Sequence, residues 1–192
     1  MLGSSSSQFD NCMRQLVGLV KPDRILELGC GHGKFGNLLK QAGLAPSLLV
    51  TVQKIFSQTD VQEIRSIGYH EIIDADIMEY FRTGFDEQYD MIVALDVIEH
   101  FLLSDIMSII NFALYRADYV LLVWPSAHPQ GASTSIFDRH RASFEIRDLS
   151  DRFDIVFYAQ TGFAQMHVVH RYHVALLRGF MNVKVLPPFG AA

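Results

Sequence analysis

The chain is predicted to be an α/β protein: a seven-stranded, mostly parallel sheet with helices on both faces and an antiparallel strand at its C-terminal end. Three observations predict it. Short apolar runs alternate with segments of helical period over most of the 192 residues, as repeated βα units do. The runs are continuously apolar, which is the pattern of strands buried on both faces. The last two runs are too close together for a crossover helix between them, so they pair antiparallel.

Taken in order, Phe9, Met13, Leu16, Val17 and Val20 recur at helical spacing, so a leading amphipathic helix is expected over 9–20, stopped by Lys21-Pro22. Arg24 to Cys30 is an apolar run that meets glycines, and 34–42 resumes a helical period before Gly43. That is strand, turn, helix. The unit recurs with a strand at 47–53, a helix at 59–67, a strand at 71–76 and a short helix near 77–83. Tyr89 to Val97 reads as the fourth strand. A long helix over 99–115 is expected to bury Leu102, Leu103, Ile106, Ile109, Ile110, Ala113 and Leu114, and 119–124 reads as a fifth strand ended by Pro125. Residues 126–143 mix Gly, Pro, Ser, His and Arg without a period, and loops of that length usually carry function. A brief helix at 145–152, a strand at 154–160, a turn at Thr161-Gly162 and a last strand within 167–177 complete the chain.

A chain of 192 residues fits one domain, here 8–180, with a disordered tail at 1–7 and a C-terminal extension at 181–192. Hydrophobic residues make up 49% and charged residues 19%, an ordinary globular composition. The net charge of −5 argues against nucleic acid as a partner, because phosphate backbones are gripped by concentrated Lys and Arg. Two cysteines, Cys12 and Cys30, suggest no disulfide framework and a reducing cytoplasm. The N-terminus lacks a basic start and an apolar run, and no apolar stretch approaches the about 18 residues that span a bilayer. A cytoplasmic monomer or homodimer with no membrane partner is expected.

Three glycines, Gly29, Gly31 and Gly33, follow the first strand, and residues without Cβ let the backbone pass close to a nucleotide-like ligand at the strand ends. Gly31 to Gly36 also satisfies the dinucleotide fingerprint G-x-G-x-x-G. Three features argue against a dinucleotide. Glu27 stands inside an apolar strand, where a buried carboxylate needs a partner; an amine suits it and a pyrophosphate would be repelled. The second strand ends in Gln53 where a ribose-binding acid is expected. The antiparallel closing pair is foreign to the dinucleotide fold.

Ile25-Leu26-Glu27-Leu28-Gly29-Cys30-Gly31-His32-Gly33 resembles the first motif of class I S-adenosylmethionine-dependent methyltransferases. Ile73-Asp74-Ala75-Asp76 resembles their third-strand motif, Tyr89 to His100 the fourth-strand motif and Tyr172 to Leu177 the closing strand. The resemblance runs in order from Phe9 to Phe180. It implies a Rossmann-like fold and S-adenosylmethionine as cofactor. The implied cofactor residues are Glu27, Gly29, Cys30, Gly31, His32, Gly33, Phe35, Gln53, Asp76, Ile77, Leu95 and Asp96. Within this set Asp76 is expected at the adenine amine or as a helix cap, and Asp96 beside the methyl group or as a cap. Gln53 departs from the family's acidic residue at the ribose, and an amide can still donate and accept there.

Phe137 to Phe144 resembles the stretch that closes over substrate in small-molecule members. Its His140, oriented by Asp138, and His100 after the fourth strand are the candidate bases. Arg139 and Arg141 suit a bidentate grip on phosphate or carboxylate, with Trp124 and His128 completing the candidate substrate residues. Trp124 reads either as a wall of the acceptor pocket or as the end of a core strand. A metal site is not expected: His167, His170 and His173 lie on one strand, so His170 points away from the other two. The sequence therefore reads as an enzyme that methylates oxygen or nitrogen of a small, anionic acceptor such as a sugar, nucleotide sugar or natural-product intermediate. The alternatives are a degenerate methyltransferase fold that only binds, and a protein or RNA methyltransferase.

Overall fold

The computed structural model describes residues 7–55, 57–126, 141, 144–165, 168–184 and 186, without the side chains of 163–165 and 168–170. Its elements are α1 (Asp10–Val20), β1 (Arg24–Leu28), α2 (Lys34–Gln41), β2 (Leu48–Gln53), α3 (Gln58–Ile67), β3 (Glu71–Asp74), α4 (Ile77–Thr83), β4 (Tyr89–Leu95), α5 (Leu103–Arg116), β5 (Ala117–Pro125), α6 (Ile146–Ser150), β6 (Ile155–Gln165) and β7 (Val168–Arg178). The seven strands form one sheet in the order β3-β2-β1-β4-β5-β7-β6. The first five are parallel, and β7 runs antiparallel between β5 and β6.

Each face of the sheet carries its own core layer. Alternate strand residues such as Leu26, Ile92, Leu122 and Trp124 pack with α4, α5 and Leu149 of α6. Their neighbours Ile25, Met91, Val93 and Leu121 pack with α1, α2 and α3. This two-sided covering is why the strands read as unbroken apolar runs.

Local chemistry sets the ends of the elements. Ser57 and Asp60 form a reciprocal capping box at the start of α3, and Gly68 closes it in the left-handed region with φ 115°. At the end of α1 it is Lys21, φ 49°, that takes the left-handed turn ahead of Pro22.

Three expectations need correction, the first being that Leu102 and Leu103, expected on the buried side of the helix, are exposed. The helix expected over 99–115 is interrupted: a 3-10 turn, Ile98–His100, ends at extended Phe101, and α5 restarts from extended Leu102. The apolar residues of the break keep the helical period, so the period alone conceals it. The turn expected at Thr161-Gly162 is strand, with Thr161 paired to Tyr172 and Gly162 to Arg171. The ladder overrides the local turn preference of glycine. Among the described residues no helix is long and apolar enough to cross a membrane.

Candidate functional site

The parallel order places the carboxyl ends of β1, β2, β4 and β5 along one edge of the sheet, where ligands of open α/β folds bind. β1 leads straight into Gly29, whose N–H donates to the Val52 carbonyl (2.9 Å), and Gly33 N–H closes the turn on the Cys30 carbonyl (2.8 Å). Gly29, Gly31 and Gly33 have φ of 67°, 54° and 74°, a region that side chains disfavour. Two of these close approaches are to the protein itself. A methyl group at Gly29 would lie 2.9 Å from Val97 Cγ2, and one at Gly33 would overlap Ile67 Cδ1.

Glu27 is buried at 1% exposure beneath this turn. The Tyr69 hydroxyl donates to its Oε2 and accepts from Gly36 N–H (3.3 Å). Burial pushes the Glu27 carboxyl up to about 8, opposed by the Tyr69 hydrogen bond. Gln53 braces the turn from β2: its Oε1 accepts from Gly31 N–H (3.0 Å) and from the Cys30 thiol (3.3 Å). Its Nε2 is buried and has no hydrogen-bond partner among the described residues. The Cys30 thiol is pushed up to about 12, first by burial and then by Glu27. It is a packing residue of the turn, not a nucleophile.

The donor set fits S-adenosylmethionine. Glu27 is a buried carboxyl to which an α-ammonium group would be complementary, Gln53 keeps an unused donor, and the turn between them carries no Cβ at its three glycines. Ile77, the first residue of α4, lies over this turn, with Cδ1 3.7 Å from the methyl position at Gly29. Asp76 caps α4, one oxygen accepting from Met78 N–H (2.9 Å) and Glu79 N–H (3.1 Å). The cap employs Oδ1 only.

Four further candidate residues have these surroundings. Phe35 is fully enclosed in the layer beneath α1, because α2 turns that face to the sheet; it belongs to packing. Leu95 is buried in the same layer. His32 is exposed and faces α3, with Nδ1 3.4 Å from Glu63. Trp124 takes the second of its two readings: it is wholly buried, its Nε1 donating to the Phe144 carbonyl (2.9 Å).

At the end of β4, Asp96 adopts φ 53°, a strained conformation for a residue with a side chain. Its N–H donates to the Val123 carbonyl (2.9 Å). The 3-10 turn that follows, Ile98–His100, has Val97 as its N-cap residue. Glu99 is buried, and its Oε2 has no hydrogen-bond partner among the described residues. Burial first and Asp96 second hold its carboxyl well above the usual range. His100 is half-buried, its Nε2 3.9 Å from Glu99 Oε1. The Glu99 carbonyl accepts from Arg141 N–H (2.8 Å), which ties that arginine to the strand end. Tyr172 of β7 belongs to the same group, its phenol pushed up to about 12 by burial, then by Asp96 and Glu99.

Beside these, the end of β5 holds a network that sequence reasoning missed. Ser126 Oγ lies 2.6 Å from His173 Nε2, and Tyr158 Oη lies 2.9 Å from His173 Nδ1. The His173 ring is completely buried and stacks on Trp124 with centroids 5.0 Å apart. The residue types were visible, but their meeting depends on strand register. His128, Asp138, Arg139 and His140 lie outside the described residues.

Comparison with known proteins agrees with this architecture. A family model described as tellurite resistance protein TehB matches residues 7–167. No curated protein sequence matches the chain closely enough to count as a relative. Among solved structures, TehB from Haemophilus influenzae superposes with a TM-score of 0.62 at 16% identity, over 90% of this chain and 63% of that one. The O-methyltransferase TomG from Streptomyces achromogenes, in complex with SAM, gives 0.57 at 19% identity over 92% and 82%. Magnesium protoporphyrin IX methyltransferase from Synechocystis PCC 6803, with bound SAH, gives 0.58 at 18% identity over 89% and 82%. At these identities the superpositions speak for the fold. The family match spans most of the chain, which therefore belongs to the TehB family, within the class I S-adenosylmethionine-dependent methyltransferases whose fold it shares.

Proposed function

We propose that the protein transfers a methyl group from S-adenosylmethionine to oxygen or nitrogen of a small acceptor bound beside the ends of β4 and β5. The observation that carries this reading is the buried Glu27 carboxyl beneath a turn braced by Gln53. The cofactor's sulfonium supplies an already activated methyl group, so the protein's task is alignment and proton management. Glu27 holds the amino group of the methionine moiety, Gln53 meets the ribose, and Asp76 with Ile77 meets the adenine. His100, or His140 oriented by Asp138, is a candidate base. Arg139 and Arg141 suit an anionic acceptor.

The test is calorimetric binding of S-adenosylmethionine, then transfer of labelled methyl to a panel of phenols, sugars, nucleotide sugars and tellurite. Tellurite enters because the family model carries that name. Transfer to one class is expected. Binding without transfer to any of them favours the second reading, a fold that binds and has lost turnover, for which Gln53 in place of an acid is the favouring feature.

Gln53→Glu is expected to tighten cofactor binding by about tenfold, or ~1.4 kcal/mol. It keeps the acceptor that Gly31 N–H requires, removes the partnerless Nε2, and gives the ribose an acceptor. Unchanged affinity would remove Gln53 from the ribose.

A further inference from the structure

With the Gln160 amide oxygen turned toward Tyr158, one set of proton positions satisfies the Ser126–His173 network. The Tyr158 hydroxyl donates its one proton to Gln160 Oε1 (3.0 Å). His173 Nδ1, 2.9 Å from the Tyr158 hydroxyl oxygen, is then the donor of that pair, so it carries the ring proton. Nε2 is left as an acceptor, 2.6 Å from the Ser126 hydroxyl. In this arrangement the Ser126 hydroxyl donates to Nε2 of a neutral imidazole.

The surroundings hold this arrangement. Trp124 of β5 covers one face of the ring, and the backbone N–H of Ser126 donates to the Arg171 carbonyl (2.7 Å). Glu145, at the start of α6, puts Oε2 3.8 Å from Nε2, where it would stabilise an imidazolium. Burial first pulls His173 below the ordinary histidine range, Glu145 opposes this and Arg171 of β7 adds to it. Ser126 follows directly on β5, beside the β4 end that carries Asp96 and Glu99.

From this geometry we infer that Ser126, backed by His173, takes the proton of a hydroxyl acceptor during methyl transfer. The inference rests on the methyltransferase reading and narrows its acceptor to a protic one. The acceptor oxygen bonds to the methyl carbon as the carbon–sulfur bond breaks with its electron pair on sulfur. The acceptor proton passes to Ser126 Oγ while the serine proton moves to His173 Nε2. One positive charge leaves sulfur and one appears on the imidazolium, which releases its proton to water afterwards. Ser126 is the catalytic residue of this step; Tyr158 and Glu145 are positioning residues that act through the ring.

The first arm of the test needs neither cofactor nor acceptor. NMR of the protein labelled with ¹⁵N-histidine is expected to show His173 as the Nδ1–H tautomer, and an Nε2–H tautomer overturns the inference. The second arm compares labelled methyl transfer to phenol with transfer to tellurite, which attacks through a tellurium lone pair and needs no proton removed. Ser126→Ala and His173→Gln are expected to lower the phenol-to-tellurite ratio of kcat by about 10²–10⁴-fold with little change in the phenol KM. Tyr158→Phe is expected to shift the pH profile of phenol transfer. An unchanged ratio makes the network structural and overturns the inference, as does transfer to tellurite alone. Cofactor binding with no transfer to either probe counts against the methyltransferase reading itself, and the tautomer then decides the proton positions separately.

Discussion

Raising the pH from 5 to 9 in the absence of cofactor is expected to cost the protein about 3–5 kcal/mol of stability through Glu27 alone. The carboxyl starts from a reference of 4.5 and rises to about 8 in the folded state, because burial penalises its charge. Between those values the folded chain keeps a proton that the unfolded chain has released. Stability therefore falls as pH rises through this window, and the full loss is reached above the folded value. Glu27→Gln retains an acceptor for the Tyr69 hydroxyl and removes the titration. Urea unfolding at pH 5 and pH 9 should show the loss in the wild type and its absence in the variant; equal pH dependence in both proteins would refute the assignment to Glu27. Under the proposed function the same group would couple stability to binding. An ammonium group held at Glu27 favours the ionised carboxyl, so S-adenosylmethionine binding at pH 7 should release a proton. The binding enthalpy should then depend on the buffer in the wild type and not in Glu27→Gln.

Glu27 shows what was legible in the chain and what was not. Glu27 was visible because a carboxyl inside an apolar run contradicts its surroundings, whatever the fold. The strand and helix alternation was visible for a similar reason, since each period is a local property. The break before α5 was not, because Phe101, Leu102 and Leu103 keep the apolar spacing while the backbone leaves the helix. The strand at Thr161-Gly162 was not, because its pairing partners are Tyr172 and Arg171 across the hairpin. His173 illustrates the limit best. Its partners Ser126, which follows β5, and Tyr158 of β6 are far from it in sequence and are brought to it by strand register. Tyr69 was hidden in the same way, lying 42 residues from the Glu27 it touches.

The glycine turn has a second reason for its composition, and Gly33→Ala is the change that exposes it. The backbone at Gly33 has φ 74°, where a side chain costs about 1–2 kcal/mol. The new methyl group would also overlap Ile67 Cδ1 at the end of α3, and overpacking adds about 1–3 kcal/mol. A total loss near 3–4 kcal/mol is expected in denaturant unfolding. The two causes can be separated, because the obstructing atom is the terminal methyl of one side chain. Ile67→Val removes Cδ1 at a cost of about 0.5–1.5 kcal/mol. In that background Gly33→Ala should retain only the backbone penalty, giving a favourable coupling of about 1–3 kcal/mol, the overpacking contribution, in the double-mutant cycle. Strict additivity would mean that Ile67 yields freely and that the turn requires glycine for its backbone alone. Cofactor affinity should follow the backbone penalty, not the overlap. The Gly33 N–H bond to Cys30 and the Gln53 bond to Gly31 hold one turn, and a strained φ at Gly33 disturbs both whether or not Ile67 has been trimmed.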